Sequence, residues 1–195
     1  MCYGFRMRGK VHYTIDVPRG RQRFRELIVY VSRKCEDDPT FGAVKLNKIL
    51  FHSDFRAYER FGEPLTGMGY FRLDKGPAPR ALLPIRQELE TERAIEVRKV
   101  QVGAWTQDRT HALRDAYLDH FSGDELRLID EVVEELWGKS AEEVSEGSHG
   151  VAWATRANRE SIPYEAVFLS DEEPTEADIR EVKALNTQYG WGLHV

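Results

Sequence analysis

Apolar residues recur at helical spacing along most of the chain, and turn chemistry fills the gaps between these stretches. Phe24, Leu27, Ile28 and Val31 predict a first helix from about Arg21 to Cys35. Glu36-Asp37-Asp38-Pro39 ends it, because a residue before proline avoids helical angles. Thr40 is placed to cap a second helix, which Gly62 closes. That helix has two apolar rows, Val44, Phe51, Phe55 and Tyr58 beside Leu46, Leu50 and Ala57. The arc is wider than a single seam, so the helix belongs near the centre of the core. Its opposite row reads Lys45, Lys48, His52, Arg56 and Glu59.

Downstream, Glu63 to Gly67 turns the chain and Gly69 to Leu73 suits a short strand. Lys75-Gly76-Pro77-Ala78-Pro79 reads as a rigid loop leading into a helix over about Arg80 to Glu90, with Pro84 as a kink or as its true start. Ala94 to Val102 and Ala104 to Ala112 favour strand on either side of Gly103, which predicts a hairpin. Two strands are marginal in water, so the hairpin is expected to recruit the 69–73 strand as a third. Capping boxes then open two helices, Ser122 with Glu125 and Ser140 with Glu143. Leu126, Ile129, Val133 and Leu136 form the stripe of the first, and Gly138 stops it. Thr175 opens a last helix with Ile179, Val182, Leu185 and Tyr189 on one face. The expected fold class is α+β, mostly α-helical: one domain of six to seven helices with a small antiparallel sheet. Residues 1–20 read as an N-terminal extension, either an edge strand or disordered, ahead of a domain over 21–195.

With 195 residues, 41 % hydrophobic and 31 % charged, the chain has the balance of an ordinary globular domain. No apolar run approaches the ~20 residues of a membrane span, and no signal-peptide core follows the N-terminus. Cys2 and Cys35 form neither a disulfide framework nor a metal spacing, so the expected compartment is the cytoplasm. A net charge of −5 argues against broad affinity for nucleic acid.

Few residues invite a chemical reading. Asp54 lies between Leu50 and Tyr58 on a core-facing stripe and needs a partner, with Arg72, Lys75 or Arg80 expected to arrive from the strand and turn. Without a second carboxylate or nucleophile at a recognisable spacing, it reads as a structural acceptor pinning the Gly-Pro loop. The six histidines form no i, i+4 pair and no Cys/His cluster. His149, four residues before Trp153, reads as a helix-end contact. Lys45, Lys48, His52 and Arg56 are the candidate partner-binding row, competing with a plain solvated face. The carboxylates between Asp124 and Glu146 suit helix capping and could steer a basic partner. Trp105, Trp137, Trp153 and Trp191 are possible anchors.

The order of these pieces is more telling than any one of them. K-L-x-K-x-L-F at Lys45, Leu46, Lys48, Leu50 and Phe51 follows Phe41-Gly42. Asp54, Phe55 and Tyr58 come next, then Leu65-Thr66-Gly67, then Gly76-Pro77 with Pro79. Ser148-His149 with Trp153, and Ile162-Pro163-Tyr164-Glu165, complete the series. The order resembles the Panacea domain, the SocA-like, phage-associated antitoxin domain, although the His-to-Trp spacing here is one residue shorter than in the family. The resemblance spans roughly Arg21 to Tyr189. It implies an α-rich fold and a cytoplasmic, prokaryotic antitoxin of a type II toxin–antitoxin system, with a toxin protein as its partner. Its alternatives are a proteolytic adaptor for a AAA+ protease and a DNA-binding regulator. It implies no catalytic, cofactor-binding or metal-binding residue, and it sets no oligomeric state.

Overall fold

The computed structural model describes residues 11–102, 105–169 and 172–190, with the side chain of Trp105 excepted. Trp191 and residues 1–10 therefore lie outside the described residues. The order of elements is α1 (Gly20–Lys34), α2 (Ala43–Phe61), β1 (Tyr70–Leu73), β2 (Gly76–Pro79), α3 (Leu82–Thr91), β3 (Ile95–Val102) and β4 (Trp105–Ala112). Then follow α4 (Gly123–Leu136), α5 (Ala141–Glu146), α6 (Val151–Ala154), β5 (Ser161–Ile162), a 3-10 turn over Tyr164–Phe168, and α7 (Glu176–Tyr189). The class is the one expected, mostly helical with small antiparallel sheets.

α2 is central because its two apolar rows serve two cores. Leu46, Ile49, Leu50 and Ala57 join Phe24, Leu27 and Ile28 of α1 and Leu128, Ile129 and Val132 of α4 in the larger one. Phe51 and Phe55 face the other way, into an aromatic cluster with Tyr70, Ile162 and Tyr164. Rings there meet edge-on or stacked, with Phe55 and Tyr164 centroids 4.8 Å apart. Helix ends follow their signals. Gly62 takes the left-handed cap of α2 with φ 79°, and the capping boxes at Ser122 and Ser140 are both formed. Pro84 sits in the first turn of α3, where its missing N–H costs no helical bond. The N-cap of α2 is Gly42 and not Thr40, whose hydroxyl is engaged elsewhere.

The strands depart from expectation in two ways. The β3–β4 hairpin pairs only with itself, in register from Ile95 opposite Ala112 to Val102 opposite Trp105. The 69–73 strand instead is the central strand of a separate sheet, ordered β2-β1-β5. Gly76-Pro77-Ala78-Pro79 is a strand of that sheet rather than a loop. Leu73 lies opposite Gly76, Phe71 opposite Ala78, and the Arg80 N–H bonds Gly69 O at 2.9 Å. Pro77 and Pro79 thus fall on the alternate positions whose N atoms face away from β1, where an edge strand loses nothing to proline. Residues 11–19 are neither an edge strand nor detached. Single backbone bonds hold them, from Ile15 N–H to Gly67 O at 3.1 Å and from Tyr164 N–H to His12 O at 2.9 Å.

Candidate functional site

Three of the four buried polar side chains of α2, Lys45, Lys48 and Asp54, each fasten a different part of the chain. Lys45, one per cent exposed, reaches back to the α1–α2 connection. Its Nζ lies 2.7 Å from Asp38 Oδ2 and 2.5 Å from Thr40 Oγ1, while the Thr40 hydroxyl and N–H both donate to Asp38 Oδ1. Burial alone would raise the Asp38 pKa, but Lys45 and Thr40 hold it below the ordinary value. From β4, Arg109 donates to the carbonyls of Glu36 at 2.6 Å and Asp38 at 2.7 Å, closing the same turn.

Lys48, one turn on, is enclosed without a carboxylate. Its Nζ donates to Pro77 O at 2.9 Å, a carbonyl on the outer edge of β2. Burial pushes its pKa down to about 7. Gly76 fits this corner for two reasons. Its φ of 92° is one that side chains avoid, and a Cβ there would stand 2.6 Å from Lys48 Nζ. The Ser148 hydroxyl fills the far side and donates to Ser145 O at 2.7 Å, and Ser145 donates to Lys75 O at 2.8 Å. His149 stacks on Trp153, ring centroids 3.8 Å apart. The Trp153 Nε1 donates to Leu73 O at 2.8 Å, and the Arg72 guanidinium lies 4.0 Å from the indole centroid. The Ser-His and Trp motif therefore clamps the β1–β2 hairpin end, a contact between helix and sheet rather than between two helix ends.

Asp54 is completely buried and has no basic partner. The expected Arg72, Lys75 and Arg80 are all engaged or placed elsewhere. Arg72 donates to Arg156 O, and Arg80 donates to Arg159 O and Ser161 Oγ. Asp54 accepts instead from the Thr66 N–H at 2.7 Å, the Thr66 hydroxyl and the Tyr70 hydroxyl at 2.8 Å. The Tyr164 hydroxyl stands 3.4 Å away and bonds Met68 O at 2.7 Å. Burial lifts the Asp54 pKa to about 6 even against these donors. The carboxylate pins the Thr66-Gly67 turn, where Gly67 has φ 69°.

The remaining motif residues are structural as well. Leu46 and Phe55 occupy the two cores. Tyr58 flanks the aromatic cluster, its hydroxyl 3.3 Å from Glu165. Pro77 and Pro79 line the edge of β2. The candidate row Lys45, Lys48, His52 and Arg56 is not the open face its sequence suggests. Lys45 and Lys48 are two per cent exposed or less, and α4 lies beside the rest. Arg56 Nη1 pairs with Glu135 at 2.6 Å, Arg60 with Glu131 at 2.9 Å, and burial with Arg56 beside it lowers the His52 pKa to about 4. The acidic face that this row fits is the chain's own. Sequence reasoning missed Asp38 as the partner of Lys45, Tyr70 and Tyr164 as hydroxyls facing Asp54, and Arg109 as the clasp on the Asp38 turn. Only Tyr164, in the Ile-Pro-Tyr-Glu run, carried a signal.

As chemistry, the arrangement supplies rigidity. The hydroxyls of Ser145 and Ser148 give their protons to carbonyls, and Cys35 is buried with its thiol pushed up to about 12. An open groove of about 720 Å³ runs between residues 15–20 and Arg114, but most of its charges are paired, Arg114 with Glu26, Arg25 with Glu92 and Arg21 with Glu88. Among the described residues no three His, Cys, Asp or Glu side chains are grouped to hold a metal ion, and no helix is long and apolar enough to cross a membrane.

A helical scaffold pinned along one central helix, with Gly-Pro and Ser-His corners, is the class these features define. Residues 46–154 match the family described as Antitoxin SocA-like, Panacea domain. That span is more than half of the chain, and the chain belongs to this family. It takes in Lys48 through Trp153, while Lys45 and the Ile-Pro-Tyr-Glu run fall just beyond it. Neither the curated proteins nor the solved structures contain a match to the chain.

Proposed function

We propose that the protein is an antitoxin of a type II toxin–antitoxin system that works in the cytoplasm and neutralises a cognate toxin by direct binding, with no catalytic step of its own. Membership of the SocA-like antitoxin family supports the first part. The observation that carries the second is the use of the motif's polar side chains. Lys45, Lys48, Asp54, Thr66 and Ser148 are all buried, and each is bonded to another part of the chain. A motif consumed in this way builds a shape, and a shaped surface supports binding.

Co-expression tests this reading. The product of the adjacent reading frame is expected to arrest growth alone and to be tolerated with this chain, with its steady-state level unchanged or raised. Failure of rescue with either neighbouring gene would overturn the reading. Rescue accompanied by faster loss of the partner in a pulse-chase would replace it with the adaptor reading.

A further inference from the structure

The last helix is fully specified by its sequence and yet buries nothing. Thr175 and Asp178 form a capping box, with Thr175 N–H to Asp178 Oδ2 at 2.8 Å and Asp178 N–H to Thr175 Oγ1 at 3.3 Å. Gly190 closes the helix with φ 65° and its N–H on Asn186 O at 2.9 Å. Between these caps Ile179, Val182, Leu185 and Tyr189 follow one stripe, but no residue of α7 is buried. Val182 is 37 % and Tyr189 60 % exposed. A 14-residue helix is marginal in water on propensity alone and draws its stability from a packed apolar face.

Charge indicates what covers that face. Glu173, Glu176, Asp178 and Glu181 are exposed, against Arg180 and Lys183, and with Arg180 3.7 Å from Glu176 the segment is still net acidic. A second copy would set one acidic segment against another, and an RNA would be repelled. We propose that α7 and the acidic residues leading into it dock a basic protein partner, the helix laying its apolar stripe into a groove whose rim is lysine- and arginine-rich. This rests on the antitoxin reading and names the surface through which the toxin is held.

The test uses the full chain and the purified product of the adjacent reading frame as the probe. Val182→Asp with Leu185→Asp is expected to weaken binding about 100-fold or more, as loss of central apolar anchors does. Glu173→Lys with Glu176→Lys is expected to weaken it about tenfold and to flatten its dependence on salt. Both variants keep the wild-type melting temperature within about 3 °C. Unchanged affinity of the aspartate variant would overturn the docking surface and leave the antitoxin reading standing. A fall in melting temperature of about 10 °C would also overturn it, by showing that the stripe is needed for the fold. So would a dimer in sedimentation that the aspartate variant dissolves, since a second copy would then cover the helix. A wild-type chain that neither binds nor neutralises the probe would overturn both.

Discussion

Helices α2 and α7 both close on a left-handed glycine and are both two-sided, and they end in opposite circumstances. α2 buries Lys45, Leu46, Lys48, Ile49, Leu50, Phe51, Ser53, Asp54, Phe55 and Ala57, whereas α7 buries none of its residues. Even the cations of α2 have been taken into the fold. The difference separates two kinds of amphipathic helix that look alike in sequence. One has its polar face answered by loops of its own chain, and the other has its apolar face left for something outside it. Motif residues gathered on α2 therefore report the scaffold, and recognition belongs to surfaces such as α7.

The largest effects should come from cutting the pins of α2. Asp38→Ala strands a buried lysine and is expected to cost about 3–5 kcal/mol in urea unfolding, against less than about 0.5 kcal/mol for Val182→Ala. Asp54→Ala leaves the Thr66 N–H and hydroxyl without their acceptor and should cost about 3 kcal/mol. A pH series sharpens the same point. The folded Asp54 has its pKa raised to about 6, so the folded state holds its proton more tightly than the unfolded state between about pH 4 and 6. Stability contributed by this group falls as pH rises through that window, at most about 1.4 kcal/mol per unit, and Asp54→Asn should remove the slope.

Lys48 acts over a higher range. Its folded pKa is lowered to about 7, below the ordinary lysine value, so between about pH 7 and 10 the unfolded state binds the extra proton. Stability should therefore rise with pH across that window in the wild type and stay flat in Lys48→Met, as thermal melts at several pH values would show. Gly76→Ala is expected to cost about 2 kcal/mol, through its positive φ and the crowding against Lys48. The same substitution at Gly62, which also has positive φ but open space around it, should cost less, about 1 kcal/mol. A smaller penalty at Gly76 than at Gly62 would contradict the packed corner around Lys48.

Much of the helical framework was legible because its signals are local. The stripe of α1, the capping boxes at Ser122 and Ser140 and the stop at Gly62 depend on residues within a turn of one another. What stayed hidden was set by distant chain. Gly76-Pro77-Ala78-Pro79 looks like a loop because two prolines suggest one, and only pairing with β1 shows that both occupy outward positions of an edge strand. The Lys45–Arg56 row looks solvated because neither Asp38 above it nor α4 beside it can be placed from periodicity. Asp54 was recognised as structural, but its donors are a threonine and a tyrosine rather than the cations of the downstream strand and turn, because strand register carries Arg72 towards Trp153. For α7 the stripe was read correctly, and that none of its residues is buried among the described residues is visible only in three dimensions.

Hydrogen exchange of the full chain, with and without the adjacent gene's product, tests the division between scaffold and recognition most directly. In the free protein the amides of α2 should exchange only through global unfolding and those of α7 far faster. Adding the partner should slow residues 176–189 strongly while leaving the exchange pattern of α2 unchanged relative to the rest of the core. Protection that appears on the α2 and β2 corner, with α7 exchanging as before, would contradict the account.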